Sequence, residues 1–126
     1  VTDDDMVVLV RQFRYPYKET IYEIPAGKLE KGEDPFEAGK REFKEETGGV
    51  AEEYISLGEI YPSPGYTNEI ITLYAAKNIT FEEQNDEFLQ VCQISFDELI
   101  RRIMSGEIKD AKTIAAAFKL KELMNK

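Results

Sequence analysis

Histidine is missing from the 126-residue chain, which removes the usual general base, the usual zinc ligand and any Ser-His or Cys-His nucleophile. Any catalysis must rest on carboxylates, Lys, Arg, Tyr or a metal. Cysteine is nearly missing as well, since Cys92 stands alone. No intramolecular disulfide can form, so a reducing, cytoplasmic setting is the simpler expectation, with the thiol a small buried side chain. No stretch approaches the roughly 18 apolar residues of a membrane span. The opening VTDDDMVVLV lacks the basic start and apolar core of a signal peptide, and the chain is expected to be soluble. Basic residues are outnumbered, 16 against 25 acidic, for a formal net charge of −9. That balance disfavours a broad grip on nucleic acid or on an anionic membrane. A phosphorylated small molecule stays open, provided divalent cations sit between carboxylates and phosphates.

With 42% hydrophobic residues, a chain of this length suits one domain with its own core. Repeats and low-complexity linkers are not evident. Strands are expected at Val7 to Phe13 and at Thr20 to Ile24, the second stopped by Pro25-Ala26-Gly27. Asp34-Pro35-Phe36-Glu37 has the form of a capping box, with Glu37 reaching back, and Gly48-Gly49 supplies a left-handed exit. A helix is therefore expected from Pro35 to about Thr47. Further strands are expected at Tyr54 to Ile60, Glu69 to Ala76 and Phe88 to Ile94. Turns fall at Pro62-Ser63-Pro64-Gly65 and in the polar run Thr80 to Glu87. A mixed sheet is expected. Ser95-Phe96-Asp97-Glu98 opens a second helix that ends near Met104, and Asp110 can cap a last one. In the last helix Ile114, Ala117, Phe118, Leu120, Lys121 and Leu123 to Met124 give a stripe that reads as core.

On the helix that begins at Pro35, the residues Phe36, Gly39, Phe43 and Thr47 form one stripe able to pack on a sheet. Glu42, Glu45 and Glu46 fall on the adjoining arc, with Glu42 and Glu46 one turn apart. This arc reads two ways. As a solvated acidic face it would cost about 0.2–0.5 kcal/mol per like-charged pair, and as a site it could hold hard cations such as Mg²⁺. Glu33 just before the helix, and Arg41 beside the cluster where it can orient carboxylates in bidentate fashion, favour the second.

The segment GKLEKGEDPFEAGKREFKEETGG resembles the Nudix box, G-x5-E-x7-R-E-U-x-E-E-x-G-U, where U is apolar. Gly27, Glu33, Arg41, Glu42, Glu45, Glu46 and Gly48 match its fixed positions, and Phe43 matches the first apolar one. Gly49 departs from the second, where Val50 is expected to supply the missing contact. The resemblance implies the Nudix hydrolase fold, an α/β (α+β) arrangement with a mixed sheet sandwiched between helices, and Mg²⁺ or Mn²⁺ as cofactor. It also implies that Glu42, Glu46 and the carbonyl of Ala26 are metal ligands and that Glu45 is a ligand or lies just behind one. Arg41 would orient the carboxylates through Glu33.

The box leaves the substrate open, so the flanks must carry that argument. VRQFRYPYKETIYEIPAGKLEKGE and YPSPGYTNEIITLYAA resemble the bacterial ADP-ribose pyrophosphatase branch. In that branch an arginine matching Arg14 contacts phosphates, and a proline matching Pro64 accompanies ADP-ribose specificity. Pro64-Gly65 standing alone would read as a turn. Glu23 and Glu69 match acidic positions of the branch, although either could be an exposed strand residue. Tyr15, Tyr17 and Tyr66 could stack on adenine or simply pack. The branch also implies a loop carboxylate that takes a proton from the attacking water, here Glu87 first, with Glu83 and Asp86 as alternatives. Hydrolysis of ADP-ribose to AMP and ribose 5-phosphate is the expected reaction. Another nucleotide sugar is the nearest alternative, and a non-catalytic ADP-ribose-binding module is a different one. The flanks argue against triphosphates. Relatives of the branch carry further N-terminal strands that build a homodimer, and such a segment is expected to precede this sequence.

Overall fold

Local capping signals set the helices. In a computed structural model, which describes residues 6–24, 32–81 and 90–124, helix α1 spans Pro35–Thr47, and the side chain of Asp34 accepts from the N–H groups of Phe36 and Glu37. Glu37 does not reach back to complete the box but lies 3.7 Å from Lys40. The helix ends at Gly48, whose φ of 75° is left-handed and whose N–H donates to the Lys44 carbonyl at 2.8 Å. Helix α2, Phe96–Met104, is capped by the Ser95 hydroxyl. Helix α3, Ala111–Met124, is capped by Asp110, whose carboxylate accepts from the Thr113 N–H. Each cap satisfies backbone donors that would otherwise face no partner.

Among the described residues five strands join the helices in an α+β arrangement, the class expected from the sequence. They are β1 (Met6–Arg14), β2 (Glu19–Glu23), β3 (Gly49–Ile60), β4 (Ile71–Phe81) and β5 (Gln90–Ser95). Every pairing among the described residues is antiparallel, in a sheet ordered β2-β1-β5 and a ribbon β3-β4. Helix α3 covers one face of the ribbon, where Ala116 packs with Leu57, Leu73 and Ala75. Tyr74 alternates to the other face and meets α1, its ring 5.5 Å from that of Phe36 and beside Gly39. The other sheet is covered by α2 and α3, with Leu9, Leu99 and Ile108 almost wholly buried. Full burial of each such side chain contributes roughly 1.5–3 kcal/mol. Ile24 packs against both clusters and so joins the two halves of the core.

Several boundaries differ from expectation for identifiable reasons. β3 starts at Gly49, not Tyr54, because Glu52 and Glu53, although charged, are both exposed in a paired ribbon in which Glu53 stands opposite Lys77. A bulge between Ser56 and Gly58 shifts the alternation, so Ile55, Leu57 and Ile60 share one face. Gly58 permits this with a φ of 90°. β4 runs past Ala76 to Phe81, into the segment expected to be a turn. In α3 the buried positions are Thr113, Ala116 and Ala117, whereas Phe118, Leu123 and Met124 are exposed. Small residues allow that helix to lie close on the strands, Ile114 and Leu120 pack against the core clusters as expected, and the other large apolar side chains fall outside the contact.

The Gly49 departure also has a structural cause. A Cβ there would lie 2.7 Å from the Phe43 ring and 3.0 Å from the Thr47 hydroxyl, so Phe43, rather than Val50, occupies the place of the missing side chain. Gly49→Val should therefore destabilise the fold by about 1–3 kcal/mol through overpacking. Adding Phe43→Val should recover most of that loss. Denaturant unfolding of the two single variants and the double variant measures the coupling, and strict additivity would refute the compensation.

Candidate active site

The acidic arc of α1 is organised around Arg41. Its Nε and Nη2 donate to the two carboxylate oxygens of Glu33 at 2.8 and 2.9 Å, a bidentate pair. Its Nη1 lies 2.9 Å from an oxygen of Glu42 and 3.0 Å from one of Glu45. One guanidinium therefore ties the residue before the helix to two carboxylates on it. Glu42 is largely covered and Glu45 is open to solvent. Glu46 lies on the same arc, half-buried.

These oxygen donors suit a hard divalent cation chemically. Among the described residues, however, no group of three or more acidic side chains is gathered closely enough to enclose one. Arg41 instead holds one oxygen each of Glu42 and Glu45. Ala26, Glu83, Asp86 and Glu87, expected respectively as a ligand and as candidate proton acceptors, lie outside the described residues.

A second cluster sits at the end of β1 and β2. Arg14 and Glu23 meet side-on, with Nε to Oε2 at 2.6 Å and Nη2 to Oε1 at 2.7 Å. Glu23, read from the sequence as either a site residue or an exposed strand position, is only 2% exposed. Lys112 donates to the same Oε1 at 2.6 Å and also to Asp110 at 3.0 Å. Asp110 in turn accepts from the Thr113 hydroxyl at 2.6 Å, and that hydroxyl accepts from the Ile24 N–H at 2.9 Å. Sequence reasoning missed Lys112 and Thr113. Their partners lie 89 residues away, and the only local hint was Asp110 as a cap.

The electrostatics follow from this geometry. Burial pushes the Glu23 carboxyl up, but the hydrogen bonds from Arg14 and Lys112 outweigh it and hold the group below the usual carboxylate value. The Arg14 guanidinium is raised, chiefly by its bond to Glu23, with smaller contributions that include the charges of Asp110 and Glu46. Cys92 packs against the core, and burial raises its thiol above the ordinary value, which suits an unreactive side chain.

The remaining expected positions lie on the β3–β4 connection. Pro64 and Gly65 are exposed in a turn in which the Ser63 carbonyl accepts from the N–H groups of Tyr66 and Thr67. Tyr17 and Tyr66 are exposed. Glu69 lines a cavity of about 560 Å³ together with Glu42, Lys112, Phe36 and Tyr74. The structure thus brings Glu42, Glu69 and Lys112 to one cavity, while no hydrogen bond or ion pair joins Pro64 or Gly65 to Arg14 or α1 among the described residues.

A small α+β domain with an arginine-organised acidic helix is one class of protein, and comparison with known proteins makes it specific. The NUDIX domain family matches residues 1–117, and the chain belongs to that family, whose members in general use divalent metal ions. The ADP-ribose pyrophosphatase of Bacillus subtilis (strain 168) is 40% identical over 121 residues, covering 92% of this chain and 65% of the relative. The methanol dehydrogenase activator of Bacillus methanolicus is 41% identical, with the same coverage. The chain therefore spans about two thirds of the length of these curated relatives. A crystal structure described as an ADP compounds hydrolase superposes with a TM-score of 0.84, covering 99% of this chain and 69% of that one. At 22% identity it speaks for the fold. Among the described residues no helix is long and apolar enough to cross a membrane.

The Glu23 network predicts an acid response. A carboxyl whose folded pKa lies below its unfolded one adds stability that is complete above the unfolded value and is lost as pH falls through the folded one. Glu23 belongs to that case. Unfolding free energy measured between neutral pH and pH 3 should fall more steeply in the parent chain than in Glu23→Gln. Parallel curves would remove Glu23 as a source of the acid sensitivity.

Proposed function

We propose that the protein hydrolyses the pyrophosphate bond of ADP-ribose to AMP and ribose 5-phosphate, with Mg²⁺ as the cofactor and Mn²⁺ as a substitute. The observation that carries this reading is the setting of Arg14. One edge of its guanidinium is fixed on Glu23, which Lys112 also bonds, and Lys112 lines one cavity with Glu42 of the acidic helix. A cation suited to phosphate and carboxylates suited to metal thus share one corner of the fold. The likeness to the Bacillus subtilis ADP-ribose pyrophosphatase supports the choice of substrate.

In this reading Glu42 and Glu46, with the carbonyl of Ala26 and with Glu45 beside them, would hold the metal. Once bound, the ion would screen the diphosphate and make a bound water more acidic. Arg14 binds a substrate phosphate. Arg41 keeps Glu42 and Glu45 in place while anchored on Glu33. Pro64, Gly65 and Glu69 border the substrate on the side of the β3–β4 turn. Glu87, with Glu83 or Asp86 in its place, accepts the proton of the water whose oxygen bonds to one phosphorus as the bridging P–O bond breaks. The same reading places a homodimer in the cytoplasm, as a single Nudix domain with no nucleic-acid or membrane partner.

Turnover of ADP-ribose with Mg²⁺, followed as phosphate released by an added phosphatase, tests the reaction. A panel of other nucleotide sugars tests the substrate. Better turnover of another nucleotide sugar would replace ADP-ribose. Binding without turnover from micromolar to millimolar substrate would replace the hydrolase with a binding module. Glu46→Gln should lower kcat by about a hundredfold or more while the helix stays folded, and near-normal turnover in a folded variant would refute the role of Glu46. Arg14→Ala should act mainly on KM, raising it by about tenfold or more, as loss of a charge-assisted phosphate contact requires. An unchanged KM would move the phosphate contact to another residue such as Lys28.

A further inference from the structure

The reading of Arg14 as the phosphate contact leaves open what fixes that arginine in place. A guanidinium on a strand end has several rotatable bonds, and the 41% exposure of the Arg14 side chain would give it freedom to sweep. Its fixation comes from Glu23, which is itself fixed by more than Arg14. Oε1 of Glu23 accepts from both Arg14 Nη2 and Lys112 Nζ, while Oε2 accepts from Arg14 Nε. Lys112 is 14% exposed and is held on its other side by Asp110. The backbone beneath is locked too, because the Thr113 hydroxyl bonds both Asp110 and the Ile24 N–H.

We propose that Lys112 is a positioning residue for substrate binding. Clamped by Asp110 at the start of α3, its ammonium orients Glu23 so that Arg14 presents its outer edge, including Nη1, to a substrate phosphate. Glu23 acts in the same way, holding the arginine from behind. This rests on the reading of Arg14 as the phosphate contact. The geometry favours positioning over direct contact for both residues. Glu23 is almost wholly buried with both oxygens engaged, and the Lys112 ammonium is shared between two carboxylates. Among the described residues, Arg14 Nη1 makes no hydrogen bond or ion pair. A guanidinium bonded along its Nε–Nη2 edge keeps donors on the opposite edge for a second anion.

The test uses the full chain with Lys112→Met, which keeps the apolar stem, and Lys112→Arg, which keeps the charge. Each is made alone and with Arg14→Ala. The structural readout is the Arg14 Nε–H signal in nitrogen-15 spectra, assigned by its loss in Arg14→Ala. Lys112→Met should shift or broaden it and Lys112→Arg should largely restore it. In the kinetics, Lys112→Met should raise KM for ADP-ribose by about tenfold with kcat changed less than about threefold. In the Arg14→Ala background it should add less than about twofold, because the group it positions is gone.

An unchanged Arg14 signal in Lys112→Met would overturn the proposal. So would an equal KM effect with and without Arg14, which would mean that Lys112 acts on substrate by itself or only on stability. If Arg14→Ala alone leaves KM unchanged, the reading of Arg14 has failed, and the proposal falls with it. If the chain turns over no ADP-ribose, the hydrolase reading fails separately. The spectroscopic arm then decides whether Lys112 sets the arginine.

Discussion

The carboxylate of Glu23 is the group on which the arrangement turns. Taking a carboxylate out of water carries an effective penalty of several kcal/mol unless partners satisfy it, and Glu23 is 2% exposed. Arg14 and Lys112 both bond it, so burial of the charge is possible only when β1, β2 and α3 meet at this point. Removing one partner of such a buried pair costs about 3–5 kcal/mol because the other charge is stranded. Here the three-way sharing spreads that dependence. Either cation can leave and Glu23 still has one. The next residue, Ile24, donates its N–H to Thr113 and packs into both core clusters. The electrostatic lock and the junction of the two core halves are thus adjacent in the chain.

Arg41 plays the corresponding part on the acidic helix, under a different constraint. Glu42, Glu45 and Glu46 at helical spacing repel one another. A single guanidinium that grips Glu33 with one edge and reaches Glu42 and Glu45 with its remaining nitrogen offsets part of that repulsion. It also pins the entry to α1. The carboxylates still outnumber the cation, which leaves a negative field that suits a divalent ion and repels a bare diphosphate. The proposed reaction therefore calls for a further cation of the protein, and Arg14 is the one assigned to it.

What could be read in the sequence was local. Asp34 and Pro35 fixed the start of α1 and Gly48 its end because capping depends on a few adjacent residues, and Ser95 and Asp110 did the same for the other helices. The spacing of Arg41, Glu42, Glu45 and Glu46 was legible for the same reason. The start of β3 and the end of β4 were not. Glu52 and Glu53 look like loop residues until the pairing of Glu53 with Lys77 is known, and the bulge at Gly58 shifts the alternation that identifies a strand. Phe118 and Leu123 looked like core because they are large and apolar, but the sheet accepts the alanine face of α3. Lys112 was invisible for a stronger reason: its partner Glu23 lies 89 residues away, and no local pattern announces an ion pair of that range.

A buried ionic cluster at this corner calls for an explanation beyond stability, since well-packed apolar residues of similar volume often serve as well or better. Apolar side chains could join β2 to α3, but they could not hold a guanidinium in one orientation beside an acidic helix. The pairing of Arg14 with Glu23 is side-on, which fixes the plane of the guanidinium as well as its position, whereas an ammonium at that place would have no plane to fix. Lysine stands at 112, where its own plane is not at issue, as a compact charge shared between Glu23 and Asp110. The distribution of the two cation types therefore follows the demands on each. The planar one faces outward, where the proposed phosphate contact calls for a flat and directional donor, and the compact charge lies inward, where it holds Glu23 from behind.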